Sequence, residues 1–183
     1  MPWEQLELPE LDGRVMLVAG YLADKMDGMC VVDLNCGTAP LLDWLPPRWA
    51  MYYGNDTNED FITQCLEKGV PRTRFAVVAD DDALDEIDEV VDILICLGYG
   101  ARYHPLESST VDKTIVDVVV WDRPHIIALD AWWDITKIPA CGFDALVGKL
   151  RSLGYRIAHD LNIEENRATT AYSRRRVVIL EAE

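Results

Sequence analysis

Asp33 closes an apolar run, Met29-Cys30-Val31-Val32, and is followed by Leu34-Asn35-Cys36-Gly37-Thr38-Ala39-Pro40. A strand buried on both faces of a parallel sheet reads this way. An acid at the tip of such a strand is costly to desolvate unless it meets a partner. Gly37 has no Cβ, so the backbone there can turn sharply or come close to a ligand. Pro40 suits the first position of a helix, where no amide donor is required. Strand, glycine turn and helix start, in that order, make a place for a polar or anionic group; an ordinary β–α connection with a structural glycine would look the same. Asp56 follows the glycine turn by about twenty residues, the interval at which a carboxylate on the tip of the next strand accepts both hydroxyls of a ribose. The other reading of Asp56 is an acid at a helix N-terminus.

The elements that must position these groups follow from periodicity. Leu11, Val15, Val18, Leu22 and Met26 recur every three or four residues and predict an amphipathic helix, ended by Gly28. A strand over 29–34 comes next. The helix opening near Ala39-Pro40 can take in Leu41, Leu42 and Leu45 before Pro46-Pro47 stops it, which allows about two turns. A strand over 48–54 ends in Asn55-Asp56-Thr57-Asn58. Thr57 or Asn58 can cap a helix with Glu59 and Asp60 in its first turn and Phe61, Ile62, Cys65 and Leu66 on its inner face. A third strand, 74–79, runs into Asp80-Asp81-Asp82, and the acidic stretch to Glu89 holds one or two helical turns.

The run 90–97 is continuously apolar apart from Asp92 and reads as a central strand, emptying into the polar, glycine-rich loop 98–105. Ser108 to Thr110 can cap a helix through Trp121, with Asp112 completing a capping box on Ser109. A strand over 125–130 leads into a loop over 131–139. The loop's adjacent Trp132 and Trp133 cannot share one core face, so one of them lines a pocket or an interface. Phe143, Leu146, Val147, Leu150 and Leu153 set a last helix, ended by Gly154. The strands 155–163 and 175–181 are joined without a helical pattern, as an antiparallel hairpin would be. The expected architecture is α/β: a doubly wound, mostly parallel seven-stranded sheet with an antiparallel C-terminal hairpin and helices on both faces, with ligands at the carboxyl ends of the strands. A single domain spans 1–183, an N-terminal arm and helix over 1–28 and a core over 29–183.

With 183 residues, half of them apolar and 27% charged, the chain is expected to build one substantial core. The net charge of −15 opposes binding to nucleic acid or anionic lipid. Five cysteines, an odd number without C-x-x-C spacing, read as small core residues in a reducing compartment rather than as a zinc site. No apolar run is long enough to span a bilayer, and the acidic N-terminus lacks a secretory pattern, so the expected location is the cytoplasm.

The motifs, in order, carry a family resemblance. Val-Val-Asp-Leu-Asn-Cys-Gly-Thr-Ala, from Val31 to Ala39, resembles the first motif of class I S-adenosylmethionine-dependent methyltransferases, and Tyr53 through Ile62 resembles the second. Asp80-Asp81-Asp82-Ala83 is similar to the third and Val91-Asp92-Ile93-Leu94-Ile95 to the fourth. The resemblance implies S-adenosylmethionine as cofactor. Asp33 would order the turn and face the methionine amine, and Gly37 would let the backbone approach. Asp56 would hold the ribose. Asp82, or Asp80 in a shifted register, would accept from the adenine amino group, with Ala83 lending its amide. Leu97 and Gly98 would line the methionine end through their backbone, and Asn35 and Thr57 belong to the same two motifs. Asn35 stands where the family has its first glycine and Ala39 where it has its third.

Methyl transfer from a sulfonium is an in-line displacement that rests on proximity and orientation and needs a base only if the acceptor must lose a proton. Tyr99, Tyr103 and His104 follow the fourth strand, and Tyr99 and His104 are the candidates for catalysis; His104 equally reads as a solvent-facing loop residue, and His125 and His159 as structural. The Asn or Asp, two prolines and aromatic of amino-methyltransferases are replaced by Leu97-Gly98-Tyr99-Gly100, which argues against DNA bases and glutamine as acceptors. Asp130 and Asp134 could suggest a catechol-type metal site, but no acid follows the fourth strand, so no metal is expected. The implied function is methyl transfer to a small-molecule or protein acceptor. The alternative is a non-catalytic protein of the same fold that binds the cofactor or a partner.

Overall fold

The computed structural model describes residues 13–83, 85, 87–97, 105–133, 142–165 and 173–183. Its strands are β1 (Cys30–Asp33), β2 (Met51–Asp56), β3 (Thr73–Val77), β4 (Ile93–Leu97), β5 (Ile126–Trp133), β6 (Tyr155–Glu165) and β7 (Ser173–Ala182). They form one seven-stranded sheet in the order β3-β2-β1-β4-β5-β7-β6. The pairs among β1 to β5 are parallel, and β7 is antiparallel to both β5 and β6. The strand order reverses between β1 and β4, so their carboxyl ends flank a crevice where a ligand can lie. The expected fold class is the observed one.

Side chains that alternate along the strands divide the core in two. Cys30, Val32, Leu94, Cys96, Ile127 and Leu129 face α4 (Pro105–Trp121) and α5 (Phe143–Ser152), which contribute Ile115, Val118, Phe143 and Leu150. Val31, Tyr52, Ile93, Ile95 and Ala128 face the other way. They pack against α1 (Gly13–Leu22) through Val15, Val18 and Leu22, and against α2 (Glu59–Glu67) through Ile62 and Cys65. Each such fully buried aliphatic side chain contributes about 1.5–3 kcal/mol. A four-residue helix, α3 (Asp80–Ala83), follows β3.

Several boundaries differ from expectation for identifiable reasons. The helix expected after Ala39 is a single 3-10 turn, Pro40–Asp43, closed by the Trp44 and Leu45 amides, which both donate to the Leu41 carbonyl. β2 extends to Asp56 because β3 pairs with it out to Val77. Asn58, rather than Thr57, caps α2, its side chain accepting from the Asp60 amide at 2.9 Å. β4 begins at Ile93, since Asp92 just before it turns its carboxylate to the Cys30 amide at 2.8 Å. α4 begins at Pro105, a residue that needs no donor in a first turn, so Ser109 and Asp112 lie within the helix and not at its start. β5 runs on through Trp132 and Trp133, which are in register with Arg175 and Arg174 of β7. The two tryptophans therefore belong to a strand, where a loop was expected, because a partner strand is present along their whole length.

Candidate cofactor site

The connection leaving β1 holds three residues in the left-handed region, Asn35 at φ 55°, Gly37 at φ 57° and Ala39 at φ 47°. Asparagine visits that region readily, whereas alanine pays about 1–2 kcal/mol there. The backbone path of a glycine-rich turn is thus kept with only one glycine in it. A Cβ built on Gly37 would meet no atom within 4 Å, so the turn looks onto open space at that residue. Gly54 is the opposite case. A Cβ there would come to 2.7 Å from the Phe75 ring and 2.9 Å from Cys36 Sγ, and its bareness lets the turn close down on β2 and β3.

Both sides of the Gly37 peptide are fixed. Its N–H donates to Asp56 Oδ2 at 3.1 Å. Its carbonyl accepts from the thiols of Cys36 and Cys65, at 3.5 and 3.3 Å. Hydrogen bonding to Cys65, together with burial, raises the Cys36 thiol well above its ordinary value. Asp56 Oδ1 accepts the Asn58 amide at 2.9 Å, so this one carboxylate joins the glycine turn to the start of α2. Of the two sequence readings of Asp56, the bond to the Asn58 amide is that of the helix-start acid. Asp56 is buried, while the neighbouring Thr57 is exposed.

Asp33 is 3% exposed and accepts the hydroxyl of Tyr52, itself fully buried. Burial pushes the Asp33 carboxyl up to about 7, against the lowering effects of the Tyr52 hydroxyl and the Arg14 charge. Burial, and then the charge of Asp33, push the Tyr52 phenol well up. The Asp33 carboxyl at the carboxyl end of β1 is therefore drawn up to titrate near neutral pH.

Beside it stands a cluster that sequence reasoning missed. Arg14 of α1 donates to Asp130 Oδ2 at 2.9 Å and lies 3.5 Å from the carbonyl of Leu97, the last residue of β4. Arg175 of β7 donates to the same Asp130 oxygen at 2.8 Å. Asp130 has no exposed surface and Arg175 is 4% exposed. Asp130, considered above as half of a metal site, is engaged by two guanidinium groups. Two signals were present in the sequence: a lone arginine in the apolar stretch Gly13-Arg14-Val15-Met16-Leu17-Val18, and the run Arg174-Arg175-Arg176, whose middle residue must point to the opposite face from its neighbours.

The remaining expected residues are dispersed. Asp82 is exposed on α3, and Asp80 begins that helix. Ala83 is buried in the core and its amide donates to the Ala79 carbonyl at 3.0 Å, so that amide is used within its own turn. Asn35 and Leu97 are half-buried at the carboxyl ends of β1 and β4. Gly98, Tyr99, Tyr103, His104 and Asp134 lie outside the described residues. Among the described residues, no helix is long and apolar enough to cross a membrane.

Strand order, the fixed glycine turn and the acid ending β2 together define the fold of class I S-adenosylmethionine-dependent methyltransferases, and comparison with solved structures agrees. The magnesium protoporphyrin IX methyltransferase of Synechocystis PCC 6803, with S-adenosylmethionine bound, is 19% identical with a TM-score of 0.69, over 93% of this chain and 79% of that one. The N-methyltransferase NodS of Bradyrhizobium japonicum, in complex with S-adenosylhomocysteine, is 12% identical with a TM-score of 0.72, over 99% and 91% of the two chains. An rRNA methylase of Streptococcus thermophilus is 14% identical with a TM-score of 0.62, over 95% and 99%. No protein-family model matches the chain, and no curated protein sequence does. At these identities the likeness establishes the fold.

Proposed function

We propose that the protein is an S-adenosylmethionine-dependent methyltransferase acting on a small-molecule or protein acceptor. The observation that carries this reading is the Gly37 peptide: its amide is held by Asp56, its carbonyl by two thiols, and its Cα faces open space. A bare, immobilised backbone beside a carboxylate at a strand tip fits a nucleoside cofactor. Asn35 and Ala39 preserve the left-handed turn, which supports binding despite the two missing glycines.

When bound, the cofactor supplies an electrophilic methyl group on its sulfonium. Asp56 accepts the ribose hydroxyls from the tip of β2. Asp33, ionised, faces the methionine amine, and exposed Asp82 offers a carboxylate on the adenine side. Asn35, Thr57 and the Leu97 backbone line the remainder. Gly98 belongs with Leu97 at the methionine end, and Tyr99 and His104 are the acceptor-side candidates. The net charge of −15 favours small-molecule or protein acceptors over nucleic acid, although the fold itself serves either.

Calorimetric titration with S-adenosylhomocysteine tests the proposal. The wild-type chain is expected to bind, and Asp56→Ala to weaken binding at least several-fold. No heat at millimolar ligand would remove the cofactor, and unchanged affinity in the variant would remove Asp56 from the site.

A further inference from the structure

At the opposite end of the sheet from the cofactor floor, a groove of about 370 Å³ opens between the approach to β4 and the last turn of α4. Its floor is apolar: Val91 and Val118 are almost wholly buried, and half-buried Ile87 joins them. Its wall is Trp121, 82% exposed, and Val90 on the other side is 64% exposed. A large aromatic standing that far into water beside an apolar cleft is a recognition feature more than a packing one. The rim is acidic, with Asp88, Glu89 and Asp122, and among the described lining residues no basic side chain offsets them. Two of the acids are held in place. Glu89 accepts the Tyr53 hydroxyl, and Asp122 accepts the Val91 amide at 3.2 Å.

We propose that this groove docks a basic segment of another protein, with an apolar side chain laid against Trp121 and flanking lysines or arginines on the rim acids. Charge selects the occupant. The chain's own residues 1–12 carry Glu4, Glu7, Glu10 and Asp12 with no lysine or arginine, so the rim repels them. A second copy brings a net charge of −15 and is repelled as well. A cationic segment gains on both counts, and the indole face adds a cation–π contact. β4 separates the groove from the crevice by its own length, about 15 Å for five residues. The partner therefore sits on the enzyme without occupying the place of transfer, and the inference does not depend on the methyltransferase reading.

The test uses the full chain and a fluorescein-labelled peptide of lysines around a central pair of leucines, read by fluorescence anisotropy, with an all-lysine peptide of equal charge as comparator. The leucine peptide is expected to bind more tightly than the all-lysine one. Trp121→Ala is expected to weaken it about tenfold and Asp88→Lys several-fold, with thermal unfolding of both variants unchanged and S-adenosylhomocysteine binding untouched. Equal binding of the two peptides, or equal binding by Trp121→Ala, would reduce the effect to diffuse attraction and overturn the proposal. So would absence of binding, or sedimentation showing a wild-type dimer that Trp121→Ala dissolves, which would give the groove to a second copy.

Discussion

The two flanks of the crevice are built on different principles. On the β1–β2 side the parts come from one short stretch of chain, residues 33 to 65, and the bonds that matter involve backbone: Gly37 to Asp56, Asn58 to Asp56, Cys65 to Gly37. On the β4–β5 side the parts are charged side chains from both ends of the chain and its middle, Arg14, Asp130 and Arg175. A backbone turn tolerates a change of residue type as long as the dihedral angles survive, as Asn35 and Ala39 demonstrate. A charge cluster around a buried carboxylate tolerates few, because removing the shared Asp130 takes the counter-charge from both arginines at once.

The largest test of that contrast is Asp130→Ala. It removes the carboxylate shared by buried Arg175 and half-buried Arg14 and should cost about 3–5 kcal/mol in chemical denaturation. A loss below ~1 kcal/mol would mean that water reaches the arginines and that the two flanks are alike.

Asp33 sits between the flanks, and its effect depends on pH. Its folded-state value of about 7 lies above the ordinary 3.8. The stability linked to its protonation is therefore fully present below the unfolded value and is lost as pH rises through 7. Asp33→Asn should match the wild type near the acid end of that window. Near pH 8 it should be more stable by about 2–4 kcal/mol, seen as thermal midpoints that diverge with pH. If the midpoints run parallel, Asp33 is already ionised and solvated.

Ala39→Gly is the smallest. It relieves about 1–2 kcal/mol of left-handed strain and adds about 0.4–1 kcal/mol of unfolded-state freedom. A net gain between about 0 and 1.6 kcal/mol in urea unfolding follows, with S-adenosylhomocysteine affinity unchanged. A fall in affinity would show that the alanine methyl itself contributes to the site.

The same contrast explains what could be read from sequence. Strand, turn and helix around Gly37 are local, so apolar runs, a glycine and a caps-and-acids pattern were enough to place Asp33, Gly37 and Asp56 together. Interior strands such as β1 and β4 were equally legible, because burial on both faces leaves continuous apolar runs. Pairing partners were not legible. Trp132 and Trp133 looked like loop residues because nothing near them in sequence announces β7. Tyr52 read only as a strand residue, since its hydroxyl finds Asp33 across the neighbouring strand. Arg14 and Arg175 lie 161 positions apart, by subtraction of their numbers, and meet only through Asp130.

That separation sets an order of assembly. During synthesis the turn and its acid are complete once β3 has emerged, but the carboxylate that holds α1 acquires its second arginine only with β7. At the usual 5–20 residues per second, on the order of ten seconds pass between the two events. In the later part of that interval, once Asp130 has been made, the α1 latch is held by one ion pair. β7, made long after α1, is the strand that locks that helix down.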